Sequence, residues 1–261
     1  MSPIDELVPL LRKLRLSGVL DTLELRRNQA VEDSLSYDEF LVRLVTDEVE
    51  RRDSKMLDQR LRKANFEHRK TLSDFDFHFN PSVPKNKIVD LATCGFIREH
   101  RNVLLAGKSG VGKSHIAQAL GHRACLQGYK VIYVAANEMM RELRAARGDG
   151  TYDRRLLKFT APDLLVVDDI GLHPLKHEAP LDLYEIIRQR YQRGAIVLTS
   201  NRDLGEVGEL FGDALLASAA MDRLLDNAHI ITIEGDSFRN PPKNKREAKN
   251  KAINKAKEER K

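Results

Sequence analysis

The chain has 261 residues, of which 41% are hydrophobic and 32% charged, and its formal net charge is +5. This length accommodates one sizeable domain and a smaller module, and no stretch approaches the ~20 uncharged apolar residues of a membrane-spanning helix. The N-terminus is acidic where a secretory signal is basic, and two cysteines cannot form a disulfide framework. We therefore expect a cytoplasmic protein with no membrane partner.

Residues 1–70 are predicted to form a small all-α N-terminal domain. Apolar residues recur at three- and four-residue spacing over 4–14, which predicts one helix, and a second is predicted over 19–30. Ser36 and Glu39 have the spacing of a capping box, which marks the start of a third, long and strongly charged helix. The next stretch, TLSDFDFHFNPSVPKNK, reads as an extended linker that packs aromatic rings onto a neighbour.

Residues 71–240 are predicted to form an α/β domain with a parallel sheet and helices on both of its faces. Short apolar runs alternate there with helical stretches of a dozen or more residues, as in successive strand–helix units. The predicted strands are residues 102–106, 130–134, 164–167, 195–199 and 229–233.

A phosphate-binding loop follows the first predicted strand. The segment fits the pattern G-x-x-x-x-G-K-[ST] at every position and lies between a strand and a helix, which is the context that the pattern requires. Backbone amides of such a loop point at phosphate oxygens, while Lys113 neutralises the β- and γ-phosphates and the Ser114 hydroxyl binds Mg²⁺. The predicted ATP-contacting residues are Gly107, Lys108, Ser109, Gly110, Val111, Gly112, Lys113, Ser114 and His115.

Polar residues follow two later strands of the predicted sheet. Asp168 and Asp169 come directly after four apolar residues, at the strand end where ligands of open α/β sheets bind. Asp168 is predicted to hold Mg²⁺ with Ser114, and Asp169 to orient or polarise the attacking water. Asn201, after the next strand, is predicted to position the same water or contact the γ-phosphate.

Positive charge is concentrated in three segments, which makes nucleic acid the first partner to consider. Residues 241–261 hold nine Lys and Arg against three Glu, and are predicted to be either a solubilising tail or a flexible arm that binds a polyanion. Residues 48–70 and 141–158 also carry an excess of basic side chains. The predicted DNA contacts are Arg51, Arg52, Arg60, Arg62, Lys63, Arg141, Arg144, Arg147, Arg154 and Arg155.

Four further segments, spread over nearly the whole chain, are informative together with the phosphate loop: SYDEFLVRLVTDEVERR, KTLSDFDFHFNP, LLVVDDIG and FGDALLASAAMDRLLDNAHIITIEGDSFR. With these segments and the phosphate loop in this order, the chain resembles the AAA+ ATPases, in particular the IstB-type helper proteins of bacterial insertion sequences, which are relatives of the DnaC helicase loaders. The resemblance implies an AAA+ P-loop three-layer sandwich with a five-stranded parallel sheet. It also implies that no helical lid domain follows the ATPase core.

The resemblance assigns roles to three further residues. Asn201 matches sensor 1, and Arg239 matches the sensor 2 arginine that acts on its own subunit's nucleotide. Arg223 matches the arginine finger that reaches a nucleotide bound by a neighbouring subunit, with Arg190 and Arg193 as alternative fingers. Most AAA+ enzymes have Glu where Asp169 stands, and the shorter side chain predicts slow hydrolysis.

The expected function is ATP-dependent regulation of transposition by a ring or helical homo-oligomer that binds and deforms double-stranded target DNA. The resemblance implies that this assembly recruits and stimulates a transposase of the same element. Three alternatives are a replicative helicase loader, a small-molecule kinase and a nucleotide-gated scaffold with negligible turnover.

Overall fold

The computed structural model of the chain describes residues 3–172 and 174–240, so the basic segment 241–261 lies outside the described residues. The described residues form two compact units, which divide between Gln59 and Arg60. In the part that the structure describes, no helix is long and apolar enough to cross a membrane.

The first unit is helical, as predicted. Helices α1 (Pro3–Lys13) and α2 (Ser17–Glu32) precede α3 (Tyr37–Ala64), whose last residues belong to the second unit. The predicted capping box is present, because the Ser36 amide donates to Glu39 Oε2 at 2.8 Å and the Glu39 amide donates to Ser36 Oγ at 3.3 Å. The small core of this unit contains Leu11, Val19, Leu23 and Leu44.

The division between the units lies earlier than the predicted boundary near residue 70. Residues after Gln59 pack on the α/β unit: the Phe66 ring lies 6.1 Å from that of Tyr133, and the His68 amide donates to Gln118 Oε1 at 3.1 Å. The sequence places this segment in the helical domain because helical periodicity continues to the end of α3.

The second unit has the predicted alternation of strands and helices. Its elements are α4 (Lys85–Leu91), α5 (Gly95–Arg98), β1 (Val103–Gly107), α6 (Lys113–Leu126), β2 (Val131–Ala135), α7 (Ala136–Gly148), α8 (Tyr152–Thr160), β3 (Leu164–Ile170), α9 (Ala179–Arg190), β4 (Ala195–Ser200), α10 (Leu204–Glu209), α11 (Ala214–Leu225) and β5 (His229–Ile233). Among the described residues after β5, which are 234–240, no helix occurs.

The five strands form one parallel sheet with the order β2-β3-β4-β1-β5. Helices α7, α8, α9 and α11 pack with one face of the sheet in a single apolar core, and α6 covers the opposite face. The predicted three-layer AAA+ fold is therefore confirmed. All strands run in one direction, so the loops that follow their carboxyl ends meet at one edge of the sheet, where ligands of such sheets bind.

Arg190, at the end of α9, is a structural residue. Its side chain is 1% exposed, and burial lowers its pKa to about 10, which leaves the guanidinium charged at neutral pH. The guanidinium donates at 2.7–3.2 Å to the backbone carbonyl oxygens of Phe159, Thr160, Pro162, Asp163 and Ala195. Because Arg190 is enclosed and bonded in this way, it is not available as an arginine finger. Arg193 is exposed and has no such contacts.

Replacing Arg190 with Met should destabilise the fold strongly. The apolar side chain has a similar length but leaves buried carbonyl oxygens without a donor, at about 1–3 kcal/mol for each group. We expect the free energy of unfolding to fall by at least about 3 kcal/mol, measured by urea denaturation followed by circular dichroism. Arg193→Met is the matched control and should change stability by no more than about 0.5 kcal/mol. Equal stability of the two variants would contradict the structural role of Arg190.

Candidate nucleotide-binding site

The predicted phosphate loop, residues 107–114, joins the end of β1 to the start of α6. Gly107 and Gly112 have φ angles of +145° and +108°, which side chains rarely adopt. A Cβ atom on Gly107 would also lie 2.1 Å from the carbonyl oxygen of Ile233 in β5. Glycine is therefore required for the loop to turn against its neighbour and to present its amides at the N-terminus of α6, an arrangement that binds phosphate.

Lys113 is the buried cation of this loop. Its ammonium donates to the carbonyl oxygens of Gly107 at 2.7 Å and Lys108 at 2.9 Å, and to Asn201 Oδ1 at 2.6 Å. Burial lowers its pKa, and the nearby carboxylates of Asp169 and Asp168 oppose that change. The charge is thus held in place by acceptors from two different strand ends, which brings the phosphate loop and Asn201 together as predicted.

Asp168 lies on β3, which is longer than the predicted strand 164–167 and ends at Ile170. One of its carboxylate oxygens accepts a hydrogen bond from the Thr199 hydroxyl, and the other accepts one from the Tyr133 hydroxyl at 2.6 Å. Burial and the Asp168 carboxylate raise the pKa of Tyr133, so its hydroxyl remains a donor over the neutral range. The Asp168 carboxylate is therefore oriented by hydroxyl groups from strands on both sides.

Asp169 lies within a register shift in the pairing of β3 with β4, between Val167 and Ile170. Its φ angle of +56° is left-handed, and its amide donates to Thr199 Oγ1 at 2.8 Å. In a regular strand adjacent side chains point to opposite faces, whereas a bulge redirects one of them. Both carboxylates consequently act on Lys113, and burial together with the charge of Asp168 raises the pKa of Asp169.

Asn201 and Arg239 complete the polar cluster at this edge. Asn201 bonds Lys113 and also forms a hydrogen bond with Asp169 that lowers the pKa of this carboxyl group. The guanidinium of Arg239 is near enough to lower the pKa values of both Lys113 and Asp169. The sequence-predicted sensor residues therefore lie beside the phosphate loop of their own chain.

The oxygen groups at the site fit Mg²⁺, which prefers carboxylate, hydroxyl and phosphate oxygens. Ser114 lies in the first turn of α6, and Asp168 offers a carboxylate that is already oriented. Within residues 3–172 and 174–240, no group of three or more His, Cys, Asp or Glu side chains could hold a metal ion. A Mg²⁺ ion here would therefore be shared with nucleotide phosphates, as is usual for this ion.

The aromatic linker packs on the phosphate loop. The Phe75 ring lies edge-on to the His115 ring at 5.2 Å, and His115 Nε2 is 2.9 Å from the Thr71 carbonyl oxygen. A Cβ atom on Gly112 would lie 2.6 Å from the Phe75 ring. His115, predicted to contact ATP, thus contacts the linker, and the predicted packing of linker aromatics onto a neighbour is present.

The segment after β5 also contacts the loop. The Phe238 amide donates to the Gly110 carbonyl oxygen at 2.9 Å, and the Phe238 ring lies 4.9 Å from that of Phe79 in the linker. Among the remaining predicted contacts, Lys108 and Ser109 are exposed and Val111 is buried. The loop is therefore bordered on two sides by segments that lie far apart in sequence.

Arg223 lies in the last turn of α11. This turn is at the edge of the sheet where the strands begin, opposite the edge where they end and the phosphate loop lies. Asn102, just before β1, donates through Nδ2 to the carbonyl oxygen of Leu224 at 2.9 Å, which fixes this turn where the strands begin. Strands rise about 3.3 Å per residue, so β1 alone separates this edge from its own phosphate loop by roughly 17 Å. The Arg223 guanidinium donates to the Ala219 carbonyl oxygen at 2.7 Å and faces a cavity of about 420 Å³.

The predicted DNA-contacting residues fall into two groups. Four of them form ion pairs within the protein: Arg51 with Asp21, Arg52 with Glu48, Arg147 with Asp182, and Arg155 with Glu142. The others form no ion pair with another described residue: Arg60, Arg62, Lys63, Arg141, Arg144 and Arg154. Arg141 and Arg144 line a groove of about 800 Å³ between α7 and residues 174–179, together with Lys176.

Sequence reasoning missed Tyr133, Thr199 and Phe238 as residues of the site. Tyr133 occupies an apolar strand pattern, where an aromatic residue indicates only burial. Thr199 is a polar residue near the end of its strand, two positions before Asn201, and this is the available signal. Nothing in the local sequence indicates that Phe238 returns to the loop that follows β1.

Comparison with known proteins places this geometry in a family. The family model described as IstB-like ATP binding protein matches residues 9–248. The chain is 38% identical over 232 residues to an insertion-sequence ATP-binding protein of Mycobacterium tuberculosis, covering 88% of this chain and 92% of that protein. It is 35% identical over 218 residues to the ATP-binding protein of insertion sequence IS5376 from Geobacillus stearothermophilus, covering 84% and 87%.

Solved structures share the fold at lower identity. The DnaI structure is 22% identical with a TM-score of 0.55, covering 63% of this chain and 91% of that one. The replication initiator DnaA bound to AMPPCP and single-stranded DNA is also 22% identical with a TM-score of 0.55, covering 66% and 52%. The match over most of the chain and the identity to insertion-sequence relatives show that this chain belongs to the IstB-like ATP-binding proteins of the AAA+ superfamily.

Proposed function

We propose that this protein is an ATP-dependent, DNA-binding regulator of transposition that assembles on double-stranded target DNA and stimulates a partner transposase. The observation that carries the proposal is the separation of two functional parts. The phosphate-binding cluster lies at one edge of the sheet, and Arg223 lies at the other. A second copy is needed to bring a guanidinium of this kind to a bound nucleotide.

The residues of the cluster have distinct roles in ATP binding and hydrolysis. Lys113 exchanges its carbonyl and amide acceptors for β- and γ-phosphate oxygens, and Ser114 and Asp168 supply oxygen ligands for Mg²⁺. When bound, Mg²⁺ neutralises negative charge on the phosphate oxygens. Asp169 accepts a hydrogen bond from the attacking water and Asn201 holds that water in line. Because Asp169 is shorter than the Glu of most AAA+ enzymes, it holds water less well and hydrolysis is slow.

Assembly follows from the positions of the two edges. An interface that joins the phosphate-loop edge of one copy to the Arg223 edge of the next is head-to-tail, and repeating it generates a ring or a helix. The γ-phosphate then bridges two copies, since Lys113 and Arg239 contact it from one side and Arg223 from the other. Hydrolysis removes this bridge and favours disassembly.

DNA binding is assigned to the basic residues that are not neutralised by internal ion pairs. Arg141, Arg144 and Arg154 lie on α7 and α8, and repetition along an assembly would bring many such cations to one duplex. Contacts of this kind release counterions, and they offset the several kcal/mol needed to bend a duplex. The relatives named for insertion sequences support a transposase of the same element as the partner.

A helicase loader is the second candidate, because the DnaC helicase loader shares the fold with a TM-score of 0.50 over 57% of this chain. Such a loader binds a replicative helicase and single-stranded DNA in place of a transposase and duplex. Stronger stimulation of ATP hydrolysis by single strands than by duplex, with recovery of a helicase in a pull-down, would favour this candidate.

Assembly on duplex DNA should require an intact phosphate loop. Lys113→Ala removes the cation that binds the β- and γ-phosphates, so we expect no ATP-dependent oligomer on duplex DNA, measured by analytical ultracentrifugation. Lys108→Ala is the matched control, since it removes an exposed side chain and keeps the backbone amide and carbonyl with which this residue serves the loop, and it should assemble normally. Equal ATP-dependent assembly by the Lys113→Ala protein would contradict the proposal.

Unpaired arginines should contribute more to DNA affinity than arginines held in ion pairs. The double substitution Arg141→Ala and Arg144→Ala should weaken duplex binding uniformly across sequences and reduce the salt slope of log affinity by about 2. The control Arg51→Ala and Arg52→Ala removes arginines already paired with Asp21 and Glu48, and we expect little change in that slope. Fluorescence anisotropy over a salt series measures both, and equal slopes would contradict the assignment.

A further inference from the structure

A row of three hydrogen bonds, the first partly buried and the other two buried, connects residues 65–70, which follow α3, to the carboxylate of Asp168. The His68 amide donates to Gln118 Oε1 at 3.1 Å, and Gln118 Nε2 donates to the Tyr133 hydroxyl at 3.4 Å. Tyr133 in turn donates to Asp168 Oδ2 at 2.6 Å. Each group in the row donates to the next one toward Asp168. The row ends on an oxygen of the carboxylate that is assigned to Mg²⁺.

Burial makes this row energetically consequential. Gln118 is 4% exposed, Tyr133 1% and Asp168 5%. A buried amide or hydroxyl group that loses its partner costs about 1–3 kcal/mol, so these groups hold one another in a single arrangement. Networks of this type in a low-dielectric interior resist rearrangement at one end without adjustment at the other.

Packing of Phe66 holds the end of the row that lies after α3 in place. The Phe66 ring lies against Tyr133 and over Gly121 of α6, where a Cβ atom would be 2.9 Å from Phe66 Cε1. The Phe66 ring can pack at this position because Gly121 has no side chain. The residues after α3 therefore contact both Tyr133, through the Phe66 ring, and Gln118, through the His68 amide.

We propose that Tyr133 and Gln118 are positioning residues that hold Asp168 for Mg²⁺ and couple its orientation to the segment after α3. This segment directly follows the last turns of α3, which carry Arg60, Arg62 and Lys63. Coupling is reciprocal, and Mg²⁺–nucleotide must then stabilise residues 66–70. This inference rests on the metal role of Asp168 in the proposed function.

The first experiment measures the Mg²⁺ concentration at which a fluorescent, non-hydrolysable ATP analogue is half-maximally bound. Tyr133→Phe keeps the ring and its packing but removes the donor to Asp168, and loss of a hydrogen bond that orients a metal ligand costs about 10–100-fold in metal affinity. We expect the half-maximal Mg²⁺ concentration to rise at least about tenfold. Tyr152→Phe is the matched control, because its hydroxyl donates at 2.7 Å to Asp182, which lies outside the site, and it should bind Mg²⁺ like the wild type.

The second experiment follows hydrogen exchange of backbone amides in residues 66–70, with and without the Mg²⁺–analogue complex. We expect the complex to slow exchange in the wild type and not in Gln118→Leu, which cannot pass the hydrogen bond to Tyr133. This readout needs no hydrolysis, and it stands even where Tyr133→Phe folds poorly.

Two results would overturn the coupling while leaving the proposed function intact: an unchanged Mg²⁺ requirement in Tyr133→Phe, or equal protection of residues 66–70 in wild type and Gln118→Leu. If analogue binding to the wild type is independent of Mg²⁺, Asp168 holds no metal. That result overturns the metal assignment in the proposed function and the coupling with it.

Discussion

Arg223 and the phosphate loop lie at opposite edges of one five-stranded sheet, and the rest of the functional account depends on this separation. A guanidinium that is kept from its own nucleotide by the length of a strand can meet a nucleotide only in another copy. In the proposed function, self-association would therefore be the condition for completing the site. ATP, which binds at one edge, is then the natural ligand for controlling that association.

At the edge that carries the phosphate loop, the charges of Lys113, Asp168, Asp169 and Arg239 compensate each other only in part. Burial disfavours the charged forms of both Lys113 and Asp169, since it lowers the pKa of the first and raises the pKa of the second. Asp168 and Asp169 are adjacent carboxylates, and their repulsion is moderated by Lys113 and Arg239. Such an arrangement is sensitive to added charge, because electrostatic interactions are strong where water is excluded. In the proposed function, a triphosphate with Mg²⁺ would add charge beside both Lys113 and Asp169 and alter these interactions.

The fold was largely predictable because local patterns and tertiary structure agree. Apolar runs identified all the strands, the capping box at Ser36 identified the start of α3, and the phosphate loop fixed the first crossover. Lys113, Asp168 and Asn201 were predictable as a group because parallel strands place their carboxyl ends together. By contrast, the side-chain direction of Asp169 depends on a register shift and a left-handed backbone. Tertiary contacts impose both features, and no local sequence pattern indicates them.

Residues that act through long-range contacts were not predictable. Arg190 is a basic residue at the end of a helix, where the sequence predicts an exposed cation. Only the packing of α8, β3 and β4 around it shows that its guanidinium donates hydrogen bonds to buried carbonyl oxygens. The basic segments were visible as an excess of charge, but ion pairs with Asp21, Glu48, Asp182 and Glu142 separate neutralised arginines from unpaired ones. Tyr133 and Gln118 read as ordinary buried positions, because their hydrogen bonds join segments that lie 15 or more residues apart.

Complementation between two inactive proteins tests the composite site most directly. The Lys113→Ala protein has an intact Arg223 but lacks the lysine that binds the β- and γ-phosphates. The Arg223→Ala protein has an intact phosphate loop but lacks the arginine. Each protein alone should therefore hydrolyse ATP poorly on duplex DNA. Mixed in equal amounts, they form some interfaces in which a complete site is restored, and the account predicts a rate clearly above the sum of the two separate rates. A mixture that co-assembles on DNA without any gain in ATP hydrolysis, or full activity of Arg223→Ala alone, would contradict the account.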